Sequence, residues 1–235
     1  MPLTGLRGVL WDMDGTLVDS EKLWDVSLAE LARELGGELP PDARAAMIGS
    51  NMARTLDLMF AALELPATPA ALDQAMVRLT DRTRELFSTD LRWRPGAQAA
   101  LRSVREAGIA AALVTSTHRD LTDVALGYIG IEHFDATVCG DEVTRTKPHP
   151  EPYLRAAARL RVDPARCVAV EDSSLGTAAA VAAGCTVLVV PSEAPVDPGE
   201  RRVLRDSLIG VDATLLGSLL RQDGSGSSLC QDGGS

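Results

Sequence analysis

The sequence lacks closely spaced cysteines, a long apolar segment and an excess of positive charge. Its cysteines are Cys139, Cys167, Cys185 and Cys230, and no two of them form the CxxC pair that is typical of zinc sites. Three of them lie in or near apolar runs that predict strands, so they are expected to be buried structural thiols. The N-terminus, MPLTGLRGVLWDMDG, predicts neither a signal peptide nor a membrane span. These absences favour a reducing cytoplasm as the compartment and argue against a membrane partner.

The shortage of basic residues limits the partners further. Lysine and arginine total 23 against 33 acidic residues, which gives a formal net charge of -10. A sequence-independent nucleic-acid binder needs a positive surface, so no nucleic-acid partner is expected. A small anionic substrate is compatible with this charge, because a lysine and a metal ion can make one site positive inside an acidic protein. Hydrophobic residues make up 46% of the chain and charged residues 24%, which is typical of a globular protein.

Short apolar runs alternate with segments of helical periodicity. The runs that predict strands are Gly8–Trp11, Ile109–Val114, Phe134–Val138, Cys167–Val170 and Cys185–Val190. The helices predicted between them are Gly96–Ala107, Arg119–Leu126, Glu151–Leu160 and Leu175–Ala183. This alternation predicts an α/β fold with a doubly wound parallel sheet, in which ligands bind beyond the carboxyl ends of the strands.

One interval, from Asp19 to Asp90, is far longer than a usual connection and must fold by itself. Its pattern predicts four helices, at Glu21–Leu35, Asp42–Met47, Met52–Leu63 and Pro69–Phe87. We therefore expect a helical cap of residues 19–90 inserted into an α/β core of residues 1–18 and 91–221. Residues 222–235 are rich in Gly and Ser and predict a flexible tail. The chain is expected to be a monomer or a homodimer.

Two acids follow the first predicted strand. Asp12 and Asp14 come directly after Gly8–Trp11, and Gly15 then turns the chain, so both carboxylates should project from the strand end. A lone Asp-Gly pair more often caps a turn. The position of both acids at the ligand-binding edge of a parallel sheet predicts a functional site instead.

Three further groups are predicted to lie at the same edge. Thr115, Ser116 and Thr117 follow the second strand and offer hydroxyls and backbone N–H groups that suit phosphate oxygens, although strand-end threonines often satisfy local backbone groups. Lys147 begins the segment KPHPEPY, whose prolines stiffen the loop. Glu171 and Asp172 close the Cys167–Val170 strand and are oxygen ligands of the kind that Mg²⁺ prefers.

The order of these groups, Asp-x-Asp-Gly-Thr, a strand-end Thr, Lys-Pro and Glu-Asp, resembles the four signature motifs of the haloacid dehalogenase-like superfamily. The resemblance covers the core from Gly8 to about Val190. The position of the insert resembles the helical cap of the subgroup that contains phosphoglycolate phosphatases and β-phosphoglucomutases.

The resemblance implies a role for each motif. Asp12 would be the nucleophile that forms an aspartyl-phosphate, and Asp14 the general acid and base. Thr115 would bind the transferring phosphoryl group and Lys147 would compensate its charge. The Asp12 carboxylate, the Asp14 main-chain carbonyl and Asp172 would hold Mg²⁺, with Glu171 contributing directly or through water. The implied activity is a Mg²⁺-dependent phosphatase that acts on a small phosphomonoester, which could be a sugar phosphate, a phosphoglycolate-like compound or a nucleotide. A phosphatase is favoured because dehalogenases lack an aspartate where Asp14 stands.

Substrate contacts are less defined by the sequence. The residues expected to contact the substrate are Gly15, Ser116, Thr117, His118 and Arg119 from the core, with Asn51 and Arg54 from the cap. Solvated-surface roles are equally compatible with His118, Arg119, Asn51 and Arg54.

Three other functions are less favoured than a phosphatase. A β-phosphoglucomutase-like activity is less favoured, because the cap segment MIGSNMARTLDL lacks the lysine and arginine that those enzymes place around the corresponding glycine. A response-regulator receiver has similar groups but places its acidic pair before the phosphorylated aspartate. A catalytically silent binding protein would not need every catalytic position to be intact.

Overall fold

The computed structural model describes residues 5–220. Cys230 and the predicted tail of residues 222–235 lie outside the described residues. The strands are β1 (Gly8–Trp11), β2 (Ala110–Val114), β3 (Ala136–Val138), β4 (Cys167–Glu171), β5 (Thr186–Val189) and β6 (Arg202–Leu204). The helices are α1 (Glu21–Glu34), α2 (Pro41–Met47), α3 (Met52–Ala62), α4 (Pro69–Asp90), α5 (Ala97–Glu106), α6 (Arg119–Ile129), α7 (Glu151–Leu160), α8 (Ser174–Ala182) and α9 (Ala213–Leu219).

The six strands form one parallel sheet in the order β3-β2-β1-β4-β5-β6. The predicted α/β fold with a doubly wound parallel sheet is confirmed. The strand order reverses at β1, which lies between β2 and β4. In open parallel sheets, the crevice beside such a reversal is where ligands bind.

Side chains from the two faces of the sheet form two separate apolar clusters. Val9 and Trp11 of β1 pack on one face with α5, α6 and α9. Leu10 faces the other way and packs with α7 and α8. All three side chains are fully buried. Because both faces are covered by helices, the central strands are continuous apolar runs rather than alternating ones.

The four helices between β1 and α5 have an apolar cluster of their own. Leu31 of α1, Met59 and Phe60 of α3 and Leu79 of α4 are buried in it. Leu121 of α6 joins the cluster and so links these helices to the sheet domain. We call α1–α4 the cap helices. Within residues 5–220, no helix is both apolar and long enough to cross a lipid bilayer.

Two elements were not predicted from the sequence, β6 and α9. The short β6 has no buried residue and is an edge strand, so its residues carry no apolar run. The predicted start of β3 at Phe134 was two residues early. The reason is that Asp135 precedes the strand and its carboxylate accepts a hydrogen bond from the backbone of Ala111.

Candidate active site

The carboxyl ends of β1, β2 and β4 meet at the foot of the cap helices. Asp12 directly follows β1 and continues its ladder, with its backbone N–H donating to Val170 at 3.0 Å. The chain then turns tightly, because Leu17 and Val18 both donate to the Met13 carbonyl. Met13 is fully buried in the core, so Asp12 and Asp14 on either side of it both line the pocket under the cap.

Lys147 connects two of the acids. Its Nζ donates to Asp12 Oδ1 at 2.6 Å, to Glu171 Oε1 at 2.6 Å and to the Val114 carbonyl at 3.0 Å. The three groups come from the ends of the three central strands. Lys147 is buried, so this network fixes its ammonium group against Asp12.

Glu171 is held by hydroxyl groups as well as by Lys147. The Tyr153 hydroxyl donates to Oε1 at 2.5 Å, and the Ser173 hydroxyl donates to Oε2 at 3.1 Å. Both oxygens of this fully buried carboxylate therefore accept hydrogen bonds. Tyr153 was not singled out from the sequence, although it ends the KPHPEPY segment that begins with Lys147.

The buried charges in this cluster do not balance. Asp12, Glu171 and Asp172 contribute three carboxylates against the one ammonium group of Lys147. The pKa of the Asp12 carboxyl is raised to about 8, chiefly by burial and then by the charge of Glu171, while Lys147 opposes the shift. Burial also raises the pKa of Asp172 well above its usual range, with Asp12 and Glu171 adding to the effect. Two negative charges in excess call for a divalent cation when all three acids are ionised.

The donor set suits such a cation. One carboxylate oxygen from each of Asp12, Glu171 and Asp172 lies within 4.8 Å of the others. The other oxygen of Asp12, Oδ2, is buried without a hydrogen-bond partner among the described residues. A buried carboxylate oxygen left unpaired is costly, and hard oxygen ligands are those that Mg²⁺ prefers. The residues present therefore fit a bound Mg²⁺.

Gly15 allows the close approach of Asp172. Its φ is +73°, and a Cβ at this position would lie 2.1 Å from Asp172 Oδ2. Any other residue would be strained and would displace the carboxylate. Asp172 is itself oriented by the hydroxyls of Ser192 and Thr16, the latter at 3.4 Å. Gly15, predicted as a substrate contact, thus lies against Asp172 and is not among the residues that line the pocket.

Four donors hold the Asp14 carboxylate. Its Oδ1 accepts from the Ser20 hydroxyl at 2.7 Å and from Trp24 Nε1 at 3.1 Å. Its Oδ2 accepts from Thr117 at 2.8 Å and from Thr115 at 3.2 Å. Asp14 is therefore fixed jointly by the core and by α1.

The cap side of the pocket contains residues that sequence reasoning missed. They are Glu21, Trp24, Leu28, Arg44, Met47, Gly49, Ser50, Met52 and Thr55. Arg44 Nη2 donates to Glu21 Oε2 at 2.7 Å, and its Nε donates to Asp25 Oδ1 at 2.5 Å. Burial raises the pKa of Glu21, and Arg44 opposes that shift. The three-residue spacing of Glu21 and Trp24 on α1 was the available sequence signal, whereas nothing in the sequence pointed to Arg44.

The predicted substrate contacts divide into two groups. Ser116 and Thr117 line the pocket, and Ser116 also donates to the Gly49 carbonyl of the cap at 3.3 Å. Asn51 donates from Nδ2 to Thr146 of the core at 2.9 Å, so it joins cap to core.

Arg54, His118 and Arg119 are not brought to the pocket. Arg54 is exposed on the surface. His118 is the N-cap residue of α6 and is half-buried outside the lining. The Arg119 guanidinium binds Glu142 at 2.6 Å and Thr137 at 2.8 Å, which holds it away from the pocket. Each of the three lies at the start of α3 or α6, and their contact with a substrate stays a prediction.

Comparisons with known proteins show the family of the chain. The family model described as haloacid dehalogenase-like hydrolase matches residues 9–190. Hexitol phosphatase B of Escherichia coli is 32% identical over 213 residues, covering 86% of this chain and 90% of that protein. A phosphorylated carbohydrates phosphatase of Thermotoga maritima is 33% identical over 180 residues, covering 76% and 82%. The crystal structure of CbbY from Rhodobacter sphaeroides in complex with phosphate has a TM-score of 0.77 and 27% identity, covering 86% and 95%.

Proposed function

The chain belongs to the haloacid dehalogenase-like hydrolase family and is a phosphatase of it, and we propose that it transfers the phosphoryl group of a small sugar or sugar-alcohol phosphate to Asp12 and then to water. Two relatives that match most of the chain are named as phosphatases of hexitols and of phosphorylated carbohydrates. These names support the proposed substrate class.

The observation that carries the proposal is the state of the Asp12 carboxylate. It lines the pocket, Lys147 holds its Oδ1 at 2.6 Å, and its Oδ2 has no hydrogen-bond partner among the described residues. A carboxylate oriented through one oxygen, with the other unpaired, is arranged to attack an electrophile or to bind a cation. In this proposal it does both.

The first step is an attack by Asp12 on phosphorus. A bond forms between a carboxylate oxygen of Asp12 and phosphorus, and the bond from phosphorus to the ester oxygen breaks. Asp14 gives a proton to the departing oxygen, which leaves as an alcohol. The Ser116 hydroxyl, which donates to the Gly49 carbonyl at 3.3 Å, would turn to donate to a phosphoryl oxygen, whereas the Thr117 hydroxyl stays bound to Asp14.

The second step regenerates the enzyme. Water attacks the aspartyl-phosphate, and Asp14 takes a proton from it. The bond between phosphorus and the Asp12 oxygen then breaks and inorganic phosphate leaves. The same carboxyl group thus serves as acid and then as base, and its four donors keep it in one position for both steps.

Repulsion between Asp12 and the phosphate explains the need for cations. Two unit charges about 4 Å apart repel by about 4 kcal/mol at an effective dielectric constant near 20. Lys147 offsets part of this. Asp12, Asp172 and the Asp14 main-chain carbonyl would hold Mg²⁺, with Glu171 kept beside Lys147. The bound ion would supply the positive charge that the excess of carboxylates lacks.

Hydrolysis of p-nitrophenyl phosphate tests the reaction. We expect Mg²⁺-dependent turnover by the wild-type protein and a loss of at least about 10³-fold in Asp12→Asn, as is usual when a nucleophile is removed. Asp57→Asn is the matched control, because it makes the same change on an exposed position of α3. Phosphate label from the substrate should be trapped on the wild-type chain and not on Asp12→Asn. Turnover by Asp12→Asn at the wild-type rate would refute the nucleophile assignment.

A further inference from the structure

The charges on the cap side of the pocket restrict the substrate beyond its phosphate group. The pocket extends from Asp12 and Lys147 of the core to Glu21, Leu28 and Arg44 of the cap, so a substrate can contact both. Among the described residues that line it, the cations are Lys147 and Arg44. Lys147 is bound to Asp12 and Glu171 beside the reacting phosphate. Arg44 is therefore the cation at the cap end of the pocket.

The charge of Arg44 is already compensated by two carboxylates. Arg44 forms ion pairs with Glu21 at 2.7 Å and with Asp25 at 2.5 Å, and its side chain is only 18% exposed. Asp25 does not line the pocket, whereas Glu21 does, so Arg44 compensates the Glu21 carboxylate and no uncompensated cation is left on this wall among the described residues. A second phosphate or a carboxylate on the substrate would meet the Glu21 carboxylate in a partly desolvated pocket, where like charges repel strongly.

A helix N-terminus can also attract an anion, but at α3 one of the free backbone N–H groups is already bound by the helix's own cap residue. Asn51 caps α3 by accepting from the Arg54 backbone N–H at 2.8 Å. Its amide nitrogen is bound to Thr146 at 2.9 Å, which holds the cap residue in place. Arg54 in the first turn is exposed outside the pocket.

The same wall suits an uncharged polyhydroxyl chain. A hydroxyl can donate to the Glu21 carboxylate and accept from the Arg44 guanidinium, which has five N–H donors and uses two in these ion pairs. Trp24, Leu28 and Met47 present apolar surface for the carbon skeleton. Sugars and sugar alcohols combine hydroxyl edges with apolar C–H faces in this way.

We infer that the Glu21–Arg44 pair selects a monophosphate whose leaving group is neutral and polyhydroxylated, and rejects substrates with a second anionic group at the distal end. The inference rests on the proposed phosphatase function and narrows its substrate class. It predicts poor turnover of sugar bisphosphates and of phosphorylated sugar acids.

A pair of matched substrates tests it. Glucitol 6-phosphate and 6-phosphogluconate are both open six-carbon chains, and they differ at the distal carbon, which is a hydroxymethyl group in one and a carboxylate in the other. We expect kcat/KM to favour glucitol 6-phosphate by at least about tenfold, because the carboxylate faces Glu21. Glu21→Gln keeps the size of the side chain and removes its charge, so it should narrow that ratio about fivefold or more. Glu38→Gln, an exposed position outside the pocket, should leave the ratio as it is in the wild type.

The outcomes separate the inference from the function on which it rests. Similar kcat/KM for the two compounds, or the same ratio in Glu21→Gln as in Glu38→Gln, would overturn the inference while leaving the phosphatase intact. Absence of turnover with every ester, including p-nitrophenyl phosphate, would refute the function. Calorimetric binding of the two compounds to Asp12→Asn in Mg²⁺ then still decides the inference, with tighter binding of glucitol 6-phosphate expected. If Glu21→Gln does not fold, the wild-type ratio and the calorimetry carry the test.

Discussion

At the scale of single residues, the orientation of Lys147 depends on a buried network. Glu171 receives both the ammonium group of Lys147 and the hydroxyl of Tyr153 on the same oxygen. Tyr153 is fully buried, and its pKa is raised well above its usual range, chiefly by burial and then by Glu171. The phenol therefore stays protonated and serves as a permanent donor. It acts on the reaction through Glu171 and Lys147, so it is a positioning residue.

Removal of this hydroxyl should reduce both stability and rate. We expect Tyr153→Phe to lower the free energy of unfolding by about 1–2 kcal/mol, at the low end for a hydrogen bond to a charged group, because Lys147 still pairs with Glu171. A loss of about tenfold in kcat/KM is expected, as for other residues that orient a catalytic group indirectly. Urea unfolding and p-nitrophenyl phosphate kinetics measure the two effects.

The other tyrosine provides the control. Tyr128 is 41% exposed, and its ring contacts Trp93 on the surface. Tyr128→Phe should leave both the unfolding free energy and kcat/KM near their wild-type values. Wild-type kinetics in Tyr153→Phe would contradict the positioning role.

The sequence predicted the acids and the lysine of the candidate site, but not the residues that contact them. Asp12, Asp14, Glu171 and Asp172 were named because acidic groups directly after buried strands are uncommon, and Lys147 because it begins a proline-rich loop. Glu21, Arg44 and Tyr153 lie on helices, where charged and aromatic residues are common. Only the packing of those helices over the sheet brings Glu21 and Arg44 to the pocket and Tyr153 to Glu171.

At the scale of elements, the loop before α3 joins the cap to the core. Asn51 caps α3 and also donates to Thr146, which precedes Lys147. Ser116 donates to the Gly49 carbonyl in the same loop. These contacts set the height of the cap above the segment of residues 115–117.

Two substitutions separate the role of Asn51 as the N-cap of α3 from its hydrogen bond to the core. Asn51→Ala removes both bonds and should destabilise the protein by about 1 kcal/mol, the usual cost of a lost N-cap. Thr146→Val removes only the bond to the core and should cost less stability. Both should raise KM for a sugar phosphate by a similar factor of about 2–5, since a single neutral hydrogen bond contributes about 0.5–1 kcal/mol. Thermal unfolding and initial-rate kinetics measure these effects, and an unchanged KM in both variants would show that the contact does not position the cap.

Most element boundaries followed from periodicity and from turn residues. Helices α1–α4 begin within one residue of the predicted positions, because Pro41 and Pro69 mark helix starts and Gly36 and Gly37 end α1. The exceptions were α9 and β6, which follow a segment with few apolar residues. The chain there is short of the local signals that distinguish a strand from a loop.

At the scale of the whole molecule, the excess of buried carboxylates links stability to pH and to metal. The Asp12 carboxyl has a pKa of about 8 in the metal-free fold, against an ordinary value of 3.8. Between these values the folded chain holds a proton that the unfolded chain has lost. Folding therefore takes up a proton, and the metal-free protein should lose stability as pH rises from about 4 to about 8.

Magnesium should reverse this loss. At about pH 8 the carboxylates are nearer to ionisation and Mg²⁺ meets less proton competition, so the rise in Tm with millimolar Mg²⁺ should exceed that at about pH 6. Differential scanning fluorimetry in EDTA and in Mg²⁺ measures the shift. Asp172→Asn should abolish most of it and the surface control Asp57→Asn should retain it. A shift of equal size in Asp172→Asn would place the metal elsewhere.

The sequence by itself determined the α/β class, the order of strands and helices from β1 to β5, and the positions of the acids at strand ends and of the lysine in its loop. These features depend on local patterns, since apolar periodicity and turn residues act over a few positions of the chain. Tertiary structure alone decided which side chains meet: the cap helices bring the Glu21–Arg44 pair over Asp14, and α7 brings Tyr153 beneath Glu171. Such contacts join residues far apart in the chain, and their geometry depends on how whole helices pack on the sheet, for which no local pattern exists.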